Sequence, residues 1–512
     1  MRWLLVTTVA ALAACESSAT PPLPPAPAPA PVPAAAVAPV RGTGPTGPDT
    51  NIFATDYIGP NACGECHAAN FAKWAGSLHR VMNALVTDPG AVIGDFSGVT
   101  ISYAGGTATF SHDATGYALV LHKGATTRRY VVTRTIGRRG LQEYVGREAG
   151  TGDEVRLPFA WWPRAGGWFA QPSFDPWLGD GSHFDAYAPI TEAWATRCPW
   201  CHSTYPFAQR IARDLGNGLD QFYQGDPDAT SPRERLDVAS QVTTGISCES
   251  CHLGARAHAA GAPIHFVPRG ATPRPGAPVG STFTAERQDA AIVNTVCAQC
   301  HSGPSPRLAD GTALRNSSEA LDLAASPCTG IRCTDCPEPH GANARAADTE
   351  TRAVAACTRC HAALAEPAAA RAHAGHPDGA TTCLDCHMPR LVLGIDRHVR
   401  THRIGSPTDA RLYAAGAPDA CNLCHLDRST RWTVDALRDH WDVRLRVPAG
   451  DAPAGDTYLA SPEPAYRLIA AAAFVRRPDL LPAALPAITR GASDPLLYVR
   501  AWTHMILSDR PR

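Results

Sequence analysis

Two cysteines and a histidine recur at one fixed spacing in this chain, as in Cys248-Glu-Ser-Cys251-His252. Two cysteines separated by two residues, with a histidine directly after the second, form the attachment signature of a c-type haem. One helical turn brings both thiols under the two vinyl groups of a porphyrin, and the adjacent imidazole is held beneath the iron as its proximal ligand. The unit therefore predicts a covalently bound haem.

The same unit occurs seven times and uses fourteen of the eighteen cysteines. Chance predicts only about 0.02 such units at this composition and length. Disulfides and zinc knuckles are the alternatives, but neither needs a histidine directly after the second cysteine. We therefore predict seven haems c, each held by two cysteines and a proximal histidine: Cys63, Cys66 and His67; Cys198, Cys201 and His202; Cys248, Cys251 and His252; Cys297, Cys300 and His301; Cys357, Cys360 and His361; Cys383, Cys386 and His387; Cys421, Cys424 and His425.

The second axial ligands determine what such haems can do. A haem with two imidazoles only transfers electrons, whereas a haem with one vacant axial position can bind and reduce a small molecule. The chain has only four methionines, so histidine must supply most second ligands. Seven further histidines lie near haem units or in segments that match the family described below, and they are the distal candidates: His79, His258, His340, His373, His376, His398 and His402. Their number does not force an open site, and no catalytic residue is assigned.

Composition limits the compartment and the partners. The formal net charge is −1, which gives no electrostatic argument for binding nucleic acid. Cysteines at this density belong in an oxidising compartment, which is also where c-type haems are attached. We expect redox proteins of a respiratory chain as partners.

The N-terminal sequence predicts localisation to the cell envelope. An apolar run over residues 3–14 is too short to span a bilayer, and the segment Leu12-Ala13-Ala14-Cys15 resembles a bacterial lipoprotein box. Residues 1–14 are then a signal peptide, and Cys15 is a lipid anchor at the start of an Ala/Pro-rich tether over residues 15–50. By resemblance to the known sorting rule, Glu16 favours the outer membrane. An ordinary cleaved signal with a free cysteine is the alternative.

The remaining pattern predicts a mainly α fold with extensive loops. A multihaem domain is expected over residues 51–445. It includes a small antiparallel β meander near residues 99–147, where apolar and polar residues alternate between Gly-rich turns. Tryptophans between residues 158 and 200 are expected to pack against porphyrin faces. Residues 456–512 predict a short helical, HEAT-like C-terminal cap.

Several segments together resemble one multihaem cytochrome c family, which includes the tetrahaem cytochrome of nitrifying bacteria and longer relatives with eight haem sites and tetratricopeptide tails. The resemblance covers about residues 55–445. The matching segments are Tyr57-Ile-Gly-Pro-Asn-Ala-Cys63 through His67, Trp74 and Ser77-Leu-His79; Ile246-Ser-Cys248 through His252; Cys383 through His387-Met-Pro389; Asp396-Arg-His398-Val-Arg-Thr-His402-Arg-Ile404; and Asp419-Ala-Cys421 through His425-Leu-Asp-Arg428.

The chain departs from this family at one position. Where relatives carry a haem unit followed two residues later by another histidine, this chain has Cys333-Thr-Asp-Cys336-Pro337-Glu-Pro-His340, with Cys328 nearby. Pro337 cannot ligate iron. We therefore expect that an eighth haem is lost here and that His340 reaches across to another haem.

Three classes of function remain. The first is a periplasmic or outer-membrane electron carrier with bis-histidine haems. The second is a multihaem reductase of a small nitrogen or sulfur compound at one five-coordinate haem. The third is a scaffold in a respiratory complex that uses the C-terminal helices. The absence of a lysine or tyrosine directly beside a haem unit favours the electron carrier.

Overall fold

The structure is a computed structural model that describes residues 51, 54–170, 185–191, 193–206, 241–264, 290–303, 305–328, 330–341, 346–377 and 379–509. The expected signal peptide (1–14) and the lipidated tether (15–50) lie outside the described residues. Within the described ranges, no helix is long and apolar enough to cross a membrane.

A seven-stranded antiparallel sheet follows the first haem unit along the chain. Strands β2 to β7 pair in sequence order, and the two-residue strand β1 pairs with the second half of β5. Two separate two-stranded sheets pair β8 with β9 and β10 with β11. The strands are β1 (Ala84–Leu85), β2 (Ser97–Tyr103), β3 (Gly106–Asp113), β4 (Gly116–Lys123), β5 (Thr126–Ile136), β6 (Glu143–Glu148), β7 (Glu154–Arg156), β8 (Phe159–Trp162), β9 (Gly167–Ala170), β10 (Val392–Leu393) and β11 (His398–Val399).

The expected fold class, mainly α with only a small β meander, is wrong. The structure is 37% helical and 18% strand, and its sheet is large. The alternating segments form β2 to β5 as expected, but β5 extends past the end of β4 and leaves backbone groups that need partners. Strand β1 supplies partners for those groups, and β6 pairs along the opposite edge of β5. With only two residues, β1 is too short to show a period of two in the sequence.

The core of the sheet is aromatic. The Trp168 ring stacks on Phe110 with centroids 3.7 Å apart, and the Phe96 ring meets both rings edge on. Trp161 packs against Trp168 in the same cluster. These two tryptophans were expected on porphyrin faces, but they hold the sheet to the β8–β9 hairpin instead.

Short helices joined by loops carry the haem units. Most have fewer than ten residues, too few to be stable without tertiary contacts. They are α1 (Pro60–Cys66), α2 (Ala68–Ala75), α3 (Trp194–Arg197), α4 (Pro199–His202), α5 (Arg256–Ala259), α6 (Ala290–Ala298), α7 (Glu319–Ala324), α8 (Ala346–Cys360), α9 (Pro367–Ala374), α10 (Cys383–His387), α11 (Ala410–Ala414) and α12 (Thr430–Trp441).

Four more helices form the C-terminal part: α13 (Ala454–Leu459), α14 (Pro464–Val475), α15 (Leu481–Arg490) and α16 (Leu497–Ser508). Their buried side chains, such as Leu468 and Trp502, belong to one cluster with Leu391 and Leu423 of the haem-unit region. The C-terminal helices therefore share a core with the region that carries the last haem units.

Candidate haem-binding sites

Each haem unit is folded as a single helical turn. In five units the backbone N–H of the histidine donates to the carbonyl of the first cysteine at 2.8–3.1 Å: His67 to Cys63, His252 to Cys248, His301 to Cys297, His361 to Cys357 and His425 to Cys421. This is the i to i−4 bond of an α-helix, so the two cysteines and the imidazole project from one turn. The local geometry is the one that thioether attachment needs.

Four of the seven proximal histidines face a second imidazole. The ring centroids lie 6.0 Å apart for His67 and His258, 6.3 Å for His252 and His340, 6.0 Å for His373 and His387, and 6.0 Å for His376 and His425. The ring planes diverge by 14°, 3°, 10° and 32° in the same order. All four second rings are among the seven distal candidates.

The separation of these rings fits an iron atom between them. A metal–nitrogen distance of about 2 Å on each side, plus about 1.1 Å from nitrogen to ring centre, gives about 6.2 Å between centroids. Rings in direct stacking contact would lie much closer, as Trp168 and Phe110 do at 3.7 Å. The four pairs are therefore spaced for bis-imidazole coordination.

Hydrogen bonds from the protein orient several of these imidazoles. Nδ1 of His387 lies 2.8 Å from the Gly405 carbonyl, and Nδ1 of His258 lies 2.8 Å from the Ala262 carbonyl. Nδ1 of His202 lies 3.1 Å from the Met82 carbonyl. An Nδ1–H that donates to a carbonyl leaves Nε2 free as the ligating atom. His301 uses a carboxylate instead, with Nδ1 3.1 Å from Glu319 Oε2. Burial raises the pKa of Glu319, but the hydrogen bond and charge of His301 outweigh it and bring that pKa to about 2.

The first cysteines of neighbouring units meet in pairs. The thiols of Cys63 and Cys248 lie close enough to interact, and so do those of Cys357 and Cys383. A third contact of the same kind joins Cys297 to Cys333, which belongs to the unit that lacks a proximal histidine. The degenerate unit thus occupies the place that a complete unit occupies in the other two pairs.

Second cysteines link one pair to the next. Cys251 lies close enough to Cys297 for their charges to interact, and the same holds for Cys336 with Cys357 and for Cys386 with Cys421. The units that begin at Cys63, Cys248, Cys297, Cys333, Cys357, Cys383 and Cys421 therefore form one row in sequence order. The remaining unit lies beside the row, because Cys201 Sγ is 4.0 Å from the Gln299 carbonyl and Trp200 Nε1 donates to the same oxygen.

Thirteen of the fourteen proximal and distal histidines are half-buried or exposed. His79 illustrates their surroundings. Its side chain reaches accessible space, yet burial in the surrounding protein, followed by the charge of His301, lowers its pKa. A side chain that is accessible to solvent and also surrounded by protein is placed as a haem ligand must be.

His398 is the exception. It is only 4% exposed, its ring lies 5.6 Å from that of Trp502, and neither ring nitrogen has a hydrogen-bond partner among the described residues. Burial, with a smaller effect of the Arg476 charge, lowers the pKa of His398 to about 3. The ring is enclosed by protein and packs against Trp502 of α16.

Three proximal histidines remain without an opposing imidazole among the described residues: His202, His301 and His361. Two distal candidates, His79 and His402, are still available, and the charge of His301 acts on both of them. His361 is exposed directly after the last residue of α8.

The degenerate unit keeps the fold of a haem unit. Asp335 Oδ2 accepts the Arg332 N–H at 2.8 Å, just as Asp385 Oδ2 accepts the Thr382 N–H at 2.8 Å in the complete unit on α10. Both cysteines are present, but Pro337 follows them, and His340 faces His252 instead. The residues at this position provide the two thiols and no proximal imidazole, so they do not fit a normally ligated haem c.

The residue that joins the first two units of the row carries no sequence signal. Glu249 is fully buried in the spacer between Cys248 and Cys251. Its carboxylate accepts the N–H groups of Gly59 at 2.8 Å, Ala255 at 2.9 Å and Ile58 at 3.1 Å. Burial raises its pKa even though these hydrogen bonds act in the opposite direction. No motif identifies such a spacer residue, because its partners come from a distant segment.

Repeated Cys-x-x-Cys-His turns with histidines set opposite them define the class of multihaem c-type cytochromes, and a comparison with known proteins supports this class. The chain is 25% identical over 195 residues to the multihaem cytochrome MtrA of Shewanella baltica (strain OS185). The alignment covers 38% of this chain and 46% of that protein, so the chain matches about half the length of this relative. No protein-family model matches the chain.

Among solved structures, the chain is similar to the outer cell wall cytochrome OcwA. The TM-score is 0.40 at 17% sequence identity, over 89% of this chain and 95% of that one.

Proposed function

We propose that this protein is an electron-transfer cytochrome that carries seven haems c and holds them mainly with pairs of histidines. The main observation behind this proposal is the set of four imidazole pairs whose ring centroids lie 6.0–6.3 Å apart. Two imidazoles on one iron leave no position for a substrate, and a haem so held supplies one-electron transfer when bound.

The row of thiol contacts supports transfer along the chain. Units whose cysteines touch must hold their porphyrins next to one another, so adjacent sites can exchange electrons directly. The unit of Cys63 lies at one end of the row and the unit of Cys421 lies at the other. Redox partners of a respiratory chain would bind at these two ends. The similarity to the multihaem cytochrome MtrA supports such a role.

We also propose that the protein works on the periplasmic side of the cell envelope, anchored by lipid at Cys15 and placed at the outer membrane. The motif around Cys15 and the Ala/Pro-rich tether support this address. The more detailed family assignment, to relatives of the tetrahaem cytochrome of nitrifying bacteria, rests on the flanking histidine segments and belongs to the same proposal.

The test is an electron paramagnetic resonance spectrum of the oxidised protein, combined with carbon monoxide binding to the reduced protein. Electron transfer by bis-histidine haems predicts that low-spin signals dominate and that at least four haems bind no carbon monoxide. High-spin signals from most haems would contradict the proposal.

A reductase acting at one open haem is the second candidate function. It is favoured by His361, which is exposed and has no opposing imidazole among the described residues. It predicts a high-spin signal from a single haem that is lost together with that haem in His361→Ala, which removes the proximal ligand, and turnover of a nitrogen or sulfur oxide or of hydroxylamine by the unmodified protein.

A further inference from the structure

From its contacts we infer that Trp441, on helix α12, is a positioning residue that holds two distal imidazoles in place for two different haem units. The inference rests on the proposed bis-histidine ligation. It adds a residue outside every haem motif and assigns a role to α12.

One turn of the chain carries both imidazoles. Gly375, whose φ is +66°, caps the C-terminus of helix α9, with His373 in the last turn of the helix and His376 directly after the glycine. The His373 ring faces His387, and the His376 ring faces His425. Two units that are neighbours in the row thus take their second imidazole from a single short segment.

Trp441 contacts this segment in two independent ways. Its Nε1–H donates to the His373 carbonyl at 2.7 Å. Its ring also covers Gly375 so closely that a Cβ atom there would lie 2.9 Å from Trp441 Cζ2. The hydrogen bond fixes the end of α9, and a side chain in place of Gly375, at the left-handed position that turns the chain from His373 to His376, would push the Trp441 ring away.

The same helix is fixed at its other end to the haem unit of His425. Thr433 Oγ1 donates to Asn422 Oδ1 at 2.7 Å, and both residues are buried. The Trp432 ring lies 4.8 Å from the His425 ring. Helix α12 therefore contacts the proximal histidine of this unit at one end and the segment with its distal histidine at the other, which sets the separation of the two rings.

Loss of the Trp441 contacts should free both distal imidazoles together, since they share one turn. We compare Trp441→Ala with His373→Ala and His376→Ala, which remove the imidazoles directly. Trp161→Ala is the matched control, because it removes the same side chain from the sheet core. Haem content and far-ultraviolet circular dichroism verify that each variant is loaded and folded.

The expected result is that His373→Ala and His376→Ala each add a high-spin signal equal to one haem, and that Trp441→Ala adds a signal equal to two. Trp161→Ala should match the unmodified protein. If the histidine variants gain their signals and Trp441→Ala gains fewer than two, the positioning role is wrong while the ligation stands. If neither histidine variant gains a signal, the ligation itself is wrong and the inference falls with it.

Trp441→Phe provides a second measurement that does not depend on the alanine variant folding. It keeps a ring over Gly375 and loses the hydrogen bond to the His373 carbonyl. Protons compete with iron for the distal nitrogen, so a less firmly held imidazole dissociates at a higher pH. We expect the acid transition of two haems to move up by about half a pH unit. An acid titration identical to that of the unmodified protein would overturn the inference.

Discussion

The rings of His252 and His340 lie 6.3 Å apart and only 3° from parallel, although His340 belongs to the unit that has lost its own proximal histidine. The unit without a proximal histidine therefore places an imidazole opposite the His252 ring of its neighbour.

Removing His340 should open one haem. In His340→Ala the iron beside His252 has no second imidazole, so we expect a high-spin signal equal to one haem and carbon monoxide binding by one additional haem after reduction. His504→Ala, at an exposed position on α16, is the control and should leave both measurements unchanged. Unchanged spectra in His340→Ala would show that the ring pair does not hold an iron.

Restoring the missing histidine should restore a haem. The unmodified protein is expected to contain seven haems by pyridine haemochrome and intact mass, and Pro337→His should contain eight. The reason is that both thiols and the turn held by Asp335 are already in place. Adding Cys333→Ser to Pro337→His should return the count to seven. Eight haems in the unmodified protein would contradict the predicted loss.

Glu249 should matter more for stability than its place in a spacer suggests. Glu249→Ala leaves three N–H groups around a buried site without their acceptor, and we expect the free energy of unfolding to fall by about 3 kcal/mol. Glu65→Ala is the matched control, because Glu65 is exposed in the spacer of the Cys63 unit. Denaturant unfolding followed by circular dichroism measures the difference, and equal effects of the two substitutions would refute the assigned role.

His398 should make stability depend on pH. Burial lowers its folded-state pKa to about 3, whereas an imidazole in the unfolded chain titrates near 6.5. Between these two pKa values the imidazole of His398 is protonated in the unfolded state and neutral in the folded state. The free energy of unfolding should fall as the pH drops from about 6.5 towards 3, by up to about 4 kcal/mol.

His398→Phe keeps a ring against Trp502 and removes the titrating group. Unfolding of this variant should therefore take up one proton fewer, and its unfolding free energy should change less steeply with pH. Denaturant unfolding between pH 4 and 7 tests this. An unchanged slope would contradict the prediction, and a gain of high-spin signal would instead make His398 an iron ligand.

Anchoring at Cys15 is tested by fractionation. Cys15→Ser should release the protein from the membrane fraction without changing its haem content, because the residue lies outside every haem unit. Retention of the variant in the membrane fraction would contradict lipid anchoring.

The helical turns of the haem units were predictable from the sequence alone, because their geometry is local. Two thiols and an imidazole within five residues need only one helical turn to act on the same porphyrin, so the order of residues is enough to recognise them. The replacement of the proximal histidine by Pro337 is equally local. The alternation that produced β2 to β5 was also visible, since a strand with one buried face repeats every two residues.

Only the tertiary structure decided which imidazoles meet. His258, His340, His373 and His376 face proximal histidines, whereas His398 does not, and no spacing rule separates these cases because each pairing depends on segments far apart in the chain. The size of the sheet was likewise settled by tertiary contacts, because the two-residue strand β1 forms on the backbone groups that β5 leaves free beyond the end of β4. The type of each candidate ligand is determined within a single helical turn of the sequence. Which imidazoles face each other is determined by how those turns pack in the folded chain.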